Sequence, residues 1–204
     1  NLSDQFRFSP AGSFNENKTS LFVAQGSVQH TLSANHQLVT GAQWMHKKIN
    51  SNDRGNHELG HAGAFVTSTH KLPNNFFVNE SVRIDWDQSY GWVVIPQING
   101  AWVKGNITTR ASIGRGVRDA DFTERYNNYN KAIVTSGSIG NPYLETEKSW
   151  SYEFGLDYRL GSNLKWATTL FYRDQKNLID WTPTAFPMMP RQQNLVITGS
   201  YSLA

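Results

Sequence analysis

The stretch His57-Glu58-Leu59-Gly60-His61 is the segment whose residue types and spacing could do chemistry. On a helix, H-E-x-x-H sets two imidazoles on one face to bind zinc, and its Glu serves as general base for peptide hydrolysis. His57 and His61 are therefore the candidate metal ligands, and a zinc metallopeptidase is one reading of the chain. That chemistry needs the helix, because helical i,i+4 spacing is what stacks both imidazoles on one side. The surroundings argue against it. Asn50-Ser51-Asn52-Asp53-Arg54-Gly55-Asn56 precedes the motif with no apolar helical stripe, and Gly63 then Phe65, Val66 and Thr67 follow it with a strand-like pattern. An extended zinc motif would want Gly and His at positions held by Ala64 and Thr67, and no third ligand is indicated. We expect no catalytic residue, no cofactor and no dedicated metal site, with His46, His57, His61 and His70 at most an adventitious metal cluster. A second pair, Glu153 and Asp157, lies four residues apart on one strand face. That is about 13 Å by strand rise, too far for a carboxylate acid/base pair.

The bulk properties restrict the class. The chain has 204 residues, 38% hydrophobic, 13% aromatic and 17% charged, with a net charge of +3. Low charge with many aromatics fits a β-rich protein. A balance this mild, with no Lys/Arg cluster, predicts no nucleic-acid partner. The absence of cysteine excludes a disulfide framework and thiolate metal sites. No apolar run approaches the length of a transmembrane helix, a test that strands of a barrel escape because their alternation averages the hydropathy away.

The elements that would position any site are strands. From Lys148 to Leu160 the even positions read Trp150, Tyr152, Phe154, Leu156, Tyr158, Leu160, and the odd ones Ser149, Ser151, Glu153, Gly155, Asp157, Arg159. Alternate side chains point to opposite faces, so one face is apolar and the other polar over roughly eleven residues, enough to cross a bilayer as a tilted barrel strand. The same alternation predicts strands over 21–32, 37–49, 62–72, 76–86, 92–102, 107–113, 164–175 and 195–203. Glu80 interrupts an apolar face, and Pro96 weakens the strand that contains it. Tight turns fall at 33–36, 73–75, 104–106 and 161–163. Exposed loops are expected at 50–60, 115–147 and 182–194, with 88–91 the short member of that set. Short turns on one rim and long loops on the other, with Trp44, Trp86, Trp92, Trp102, Trp150, Trp166 and Trp181 mostly near strand ends, predict an all-β fold. Its architecture is a segment of an antiparallel up-and-down transmembrane β-barrel of about nine strands, with short periplasmic turns and long extracellular loops. The alternative from a different class is a soluble β-sheet binding module with one face on a core.

Residues 113–128, IGRGVRDADFTERYNN, and Gly140 to Trp150, GNPYLETEKSW, resemble the barrel of TonB-dependent outer-membrane receptors. Gly116, Val117, Arg118, Phe122, Thr123, Glu124 and Tyr126 match the first half of that pattern. Gly140, Asn141, Pro142, Leu144, Glu147, Ser149 and Trp150 match the second, and Asn177 to Asp180 resemble the family's strand-to-loop exit. Val117 stands where an aromatic is common, and Asp119-Ala120 replace the usual Ala/Ser-Pro. The resemblance implies a bacterial outer-membrane receptor for TonB-energised uptake of a scarce ligand: an iron-siderophore, haem, cobalamin or carbohydrate. It implies membrane lipid, the receptor's own plug domain and TonB as partners. Residues 1–204 are then expected to be a partial barrel domain without the plug and the remaining strands, since the sequence starts at Asn1 with no initiator Met or leader pattern and Tyr201 to Ala204 stop inside an alternating pattern. Ligand contacts are expected in loops 50–60, 115–147 and 182–194, and Arg110, Arg159 and Arg173 are expected to face the lumen.

Overall fold

The computed structural model describes residues 2–7 and 14–204. Nine strands form one antiparallel sheet: β1 (Leu2–Phe6), β2 (Asn15–Ser33), β3 (His36–Ser51), β4 (Gly55–Leu72), β5 (Phe76–Asp87), β6 (Gly91–Lys104), β7 (Ile107–Arg118), β9 (Glu147–Leu160) and β10 (Leu164–Lys176). Between β7 and β9 lie the short helix α1 (Phe122–Tyr126) and β8 (Gly137–Ile139). After β10 come β11 (Thr182–Thr184) and β12 (Tyr201–Leu203). Each sheet strand pairs with its neighbour in sequence apart from the β8 interruption, an up-and-down order in which β1 and β10 are the edges and the sheet stays open. The ladders are long. β3 and β4 pair from His36↔His70 to Ser51↔Gly55 without a slip.

The register sorts the side chains as the alternation predicts. Trp44, Ala62, Trp86 and Trp92 fall in one row across four strands, and Ile113, Tyr152 and Tyr172 in another. These belong to an outer face of exposed apolar groups that includes Val66, Ile84, Val94, Phe154 and Leu170. Trp92 and Trp102 are ten residues apart on β6, about 25 Å of height at barrel tilt, which matches the apolar band of an outer-membrane wall. Phe76 and Trp102 stack at 5.8 Å near the short-turn rim. The turn that joins β4 to β5 holds Asn74 and Asn75 at φ 59° and 58°, a left-handed conformation that Asn tolerates. Glu80 is on the outer face, where His70 Nε2 lies 3.2 Å from its carboxylate. Ser68 Oγ sits 2.8 Å from His70 Nε2 and 2.9 Å from His36 Nε2, with the two imidazoles stacked at 4.1 Å.

Three expectations are corrected. The stretch 50–60 is not a loop: only residues 52–54 turn, and β4 starts at Gly55. Its polar residues satisfy the wet face of a strand, and Ser51 Oγ closes the turn by accepting from the backbone of Asp53 and Arg54 at 3.1 and 3.0 Å. The stretch 195–203 is not a barrel strand. Only Tyr201–Leu203 is extended, inside a small sheet of order β11-β12-β8 in which β12 runs parallel to β8. Tyr201 is buried there, its hydroxyl donating toward the carbonyls of Val134 and Val196 and accepting from the amide of Val196, bonds that fold 195–200 back on itself. The ninth sheet strand is instead β1, whose polar Leu2-Ser3-Asp4-Gln5 carries no apolar alternation to find. Pro96 does not break β6: it pairs with Val82 on one side. The ladder to β7 stops at Gln97↔Gly114, beyond which Arg115 Nη1 donates to the Val94 carbonyl at 3.1 Å.

Candidate functional site: the long-loop rim and the inner face

On strand β4 the residues of the His-Glu-x-x-His stretch are dispersed. His57 and His61 share the inner face but stand two pleats apart, about 13 Å along the strand. Glu58 points to the outer face, 3.8 Å from His46 and 3.9 Å from Lys48. The geometry that would let two imidazoles and a general base share one ion is not built. Among the described residues no group of three or more His, Asp or Glu is arranged to hold a metal.

Each histidine has other work. His57 Nε2–H donates to the Arg54 carbonyl at 2.8 Å, and the ring lies on Tyr126 of α1, with Phe122 at 6.2 Å. His61 Nδ1 is 3.2 Å from Asp87 and its Nε2 is 3.8 Å from Asp85, whose other oxygen meets Arg83 Nε at 2.6 Å. Arg83 also reaches Gln43 at 3.3 Å. The network climbs to the rim: Ser89 Oγ lies 2.6 Å from Asp87 and 2.7 Å from Asp119, and Arg125 pairs with Asp119 at 2.6 Å. Tyr90 stands beside it. Burial first, then the charges of Asp87, Asp85 and Asp119, push its phenol up to about 12.

The connection from β7 to β9 is held down by charge and by close packing. Arg118 places both terminal nitrogens on Glu124 at 3.0 Å and grips Glu147 at 2.8 and 2.9 Å. Glu147 also accepts from the Ile179 amide at 2.8 Å, so it ties the loop after β10 to the loop before β9. Asp121 caps α1 with bonds to the amides of Thr123 and Glu124, and Glu124 returns one to the Asp121 amide, a capping box. The Gly140-Asn141-Pro142 stretch packs against this helix. A Cβ on Gly140 would lie 2.4 to 2.5 Å from backbone atoms of Arg125, Tyr126 and Asn127, so no larger residue fits without displacement. Asn141 N donates to the Glu124 carbonyl, and Arg125 donates to the Pro142 carbonyl. Gly140, Asn141 and Pro142 brace the loop, while Arg118 and Glu147 of the same pattern also line a cleft of the inner face. Val134, Ile139, Met189 and Tyr201 form a core beneath the small sheet. In the same connections Ile133, Tyr143, Met188 and Ile197 are each at least 69% exposed.

Two clefts open on the inner face. One of about 560 Å³ lies near the long-loop rim, lined by Gln97, Arg118, Glu147, Ser151 and Arg173 among others. The other, about 520 Å³, lies lower and is lined by Asn79, Arg110 and Gly155. They adjoin at Asn99, Ser112 and Glu153. Of the three arginines expected inside, Arg173 lines the upper cleft with Nε donating to Ser151 Oγ at 3.0 Å. Arg110 lines the lower one and pairs with Asp157 at 2.8 Å. Arg159 lies near the short-turn end, its amide bonded to the Asn106 carbonyl, away from both clefts. Cations, amides and hydroxyls without a nucleophile–base pair suit binding rather than bond-making. Residues of the upper cleft such as Gln97 and Ser151 escape sequence reasoning because they look like any inner-face polar residue. The Arg118–Glu147 clamp had a signal, since both belong to the recognised loop pattern.

Comparison with known proteins places this architecture. The family model described as "TonB dependent receptor-like, beta-barrel" matches residues 1–200. A curated relative, the iron-regulated outer membrane virulence protein of Vibrio cholerae, is 28% identical over 116 residues, covering 56% of this chain and 18% of that protein. The siderophore receptor PirA of Pseudomonas aeruginosa superposes with a TM-score of 0.73 at 18% identity, covering 95% of this chain and 38% of that one. The ferric enterobactin receptor PfeA of the same organism gives 0.75 at 18% identity, with 96% and 33% covered. The hemophore receptor HasR of Serratia marcescens gives 0.66 at 13%, with 93% and 37% covered. The chain thus spans well under half the length of each of these proteins. With a family match over nearly its whole length and a nine-stranded amphipathic sheet to carry it, the chain belongs to the TonB-dependent receptor β-barrel family of the bacterial outer membrane.

Proposed function

We propose that residues 1–204 are part of the barrel wall of an outer-membrane receptor that imports a scarce iron-bearing ligand, a ferric siderophore or haem, with energy delivered through TonB. The observation that carries the reading is the family match over residues 1–200, and the similarity to siderophore, ferric enterobactin and hemophore receptors and to an iron-regulated outer membrane protein supports an iron source as the ligand. In this reading the plug and the remaining strands belong to the complete polypeptide, and the plug packs against the inner-face clefts. The chain's own contribution is recognition and enclosure. Exposed Ile133, Tyr143 and Met188 on the loop cluster meet the ligand first, and the upper cleft with Arg173 receives it. No step makes or breaks a bond of the ligand, so the protein is a transporter component and not an enzyme.

The test is uptake of radioactive iron by an iron-starved strain that lacks the chromosomal copy, offered ferric catecholates, ferric hydroxamates and haem in turn. Expression of the complete protein restores uptake of one of these, and deletion of TonB abolishes it. Restoration of none, or restoration that persists without TonB, overturns the reading.

A further inference from the structure

We propose that Lys148 and Lys176 form a seat on the outer wall for the phosphate group of a membrane lipid at the long-loop rim. The two lysines are directly opposite each other, the last pair of the β9–β10 ladder. Both are on the outer face, in line with Trp150, Tyr152 and Tyr172, and both side chains are exposed. Like charges directly across a ladder repel. Among the described residues no ion pair includes either one. On that face Asp174 is the acid nearest by register, opposite Trp150, and it pairs with neither. Arg115 adds a third cation to the same face one strand over, opposite Trp150, with one nitrogen on the Val94 carbonyl. The strand ends therefore hold three cations, Lys148, Lys176 and Arg115, against one carboxylate, Asp174, on the same face.

What lies below that charge identifies the occupant. Tyr152 and Tyr172 are paired with ring centroids 6.0 Å apart, and Trp150 lies between them and Lys148. Amphipathic rings in this position mark the level of lipid headgroups. A group held between the lysines would thus carry its phosphate at the rim and its apolar body down the aromatic and aliphatic face toward Phe154 and Leu170. A soluble anion would gain from the lysines but nothing from the rings beneath them. Lysine ammonium groups bind phosphate as point charges from either side, which suits a site shared by two strands.

The experiment uses the complete outer-membrane polypeptide that contains this chain, purified in detergent without any iron ligand, so its result is independent of the transport reading. Native mass spectrometry follows retention of a bis-phosphorylated lipid A and of the same lipid with its phosphates removed. The wild type retains the phosphorylated form about tenfold better, in keeping with two lysines near a charged headgroup. Lys148→Glu makes the cross-strand pair opposite in charge. It lowers retention to that of the dephosphorylated lipid while the barrel resists unfolding in unheated sodium dodecyl sulfate as well as before. Equal retention by the wild type and the variant overturns the proposal. So does displacement of the lipid by an equal concentration of inorganic phosphate, which would make this a free-anion site.

Discussion

The imidazole of His57 lies flat on the ring of Tyr126, centroids 3.5 Å apart and planes within 5°. One ring belongs to β4 and the other to α1, so the stack pins the β7–β9 connection to the sheet. The bond from His57 Nε2–H to the Arg54 carbonyl fixes the ring in that plane. His57→Ala removes the stack, worth about 0.5–1.5 kcal/mol for an aromatic pair, so amide hydrogen exchange over residues 122–130 should speed up about three- to tenfold. His57→Phe keeps the planar contact and should retain most of the protection. The comparison also separates the structural role from a metal role. A zinc ligand would be lost equally in both variants, and added zinc would then slow exchange only in the wild type. We expect zinc to have no effect in any of the three.

His70 and Glu80 make unequal demands on the membrane wall. Their ion pair lies on the outer face, where an unpaired charge is costly. Without Glu80, His70 still has Ser68 Oγ at 2.8 Å and the stacked His36 ring, whereas without His70 the Glu80 carboxylate meets no other cation among the described residues. Glu80→Leu should therefore be neutral or stabilising, and His70→Leu should cost about 2–3 kcal/mol by stranding the carboxylate. Equilibrium unfolding by guanidinium in lipid bilayers measures both. Equal losses for the two variants would contradict this account, and so would a larger loss for Glu80→Leu.

Trp150 to Leu160 disclosed its place in the wall because a period of two held over so many residues fits a barrel strand and little else, and the aromatic spacing reported the membrane. The stretch 50–60 was misread for a physical reason. A barrel strand that rises above the bilayer has water near both faces, so Asn56, His57 and Glu58 look like loop although their backbone is fully laddered to β3. Residues 195–203 failed in the opposite direction. Their short alternation is real, but Tyr201 spends it on a local core with Val134 and Ile139 rather than on lipid. The site was less legible than the fold. The Gly140 turn could be recognised as a pattern, yet its role, a glycine pressed against the backbone of α1, follows only from three-dimensional proximity. The same holds for Arg118 between Glu124 and Glu147, partners six and twenty-nine residues away.

Tyr90 provides a pH-dependent test of the rim network. Its ordinary value of 10.0 is raised to about 12, chiefly by burial and then by Asp87, Asp85 and Asp119. An unfolded chain releases the phenolic proton near pH 10, and the folded chain holds it until about 12. Below pH 10 both states keep the proton, and Tyr90 adds no slope to stability. Between about 10 and 12 the unfolded state alone is ionised, so stability falls as pH rises, and above 12 the slope vanishes again. A near-ultraviolet titration should show a late fraction of tyrosine ionisation from Tyr90, to which Tyr129 also contributes because burial raises its phenol. Tyr90→Phe should remove part of the late fraction and flatten the alkaline loss of stability. Asp87→Asn should move the Tyr90 transition only partway back, because burial, the largest cause, is untouched. A full return to the ordinary value in that variant would assign the shift to charge instead, and would mean that the phenol is better hydrated than its position between β5 and β6 allows.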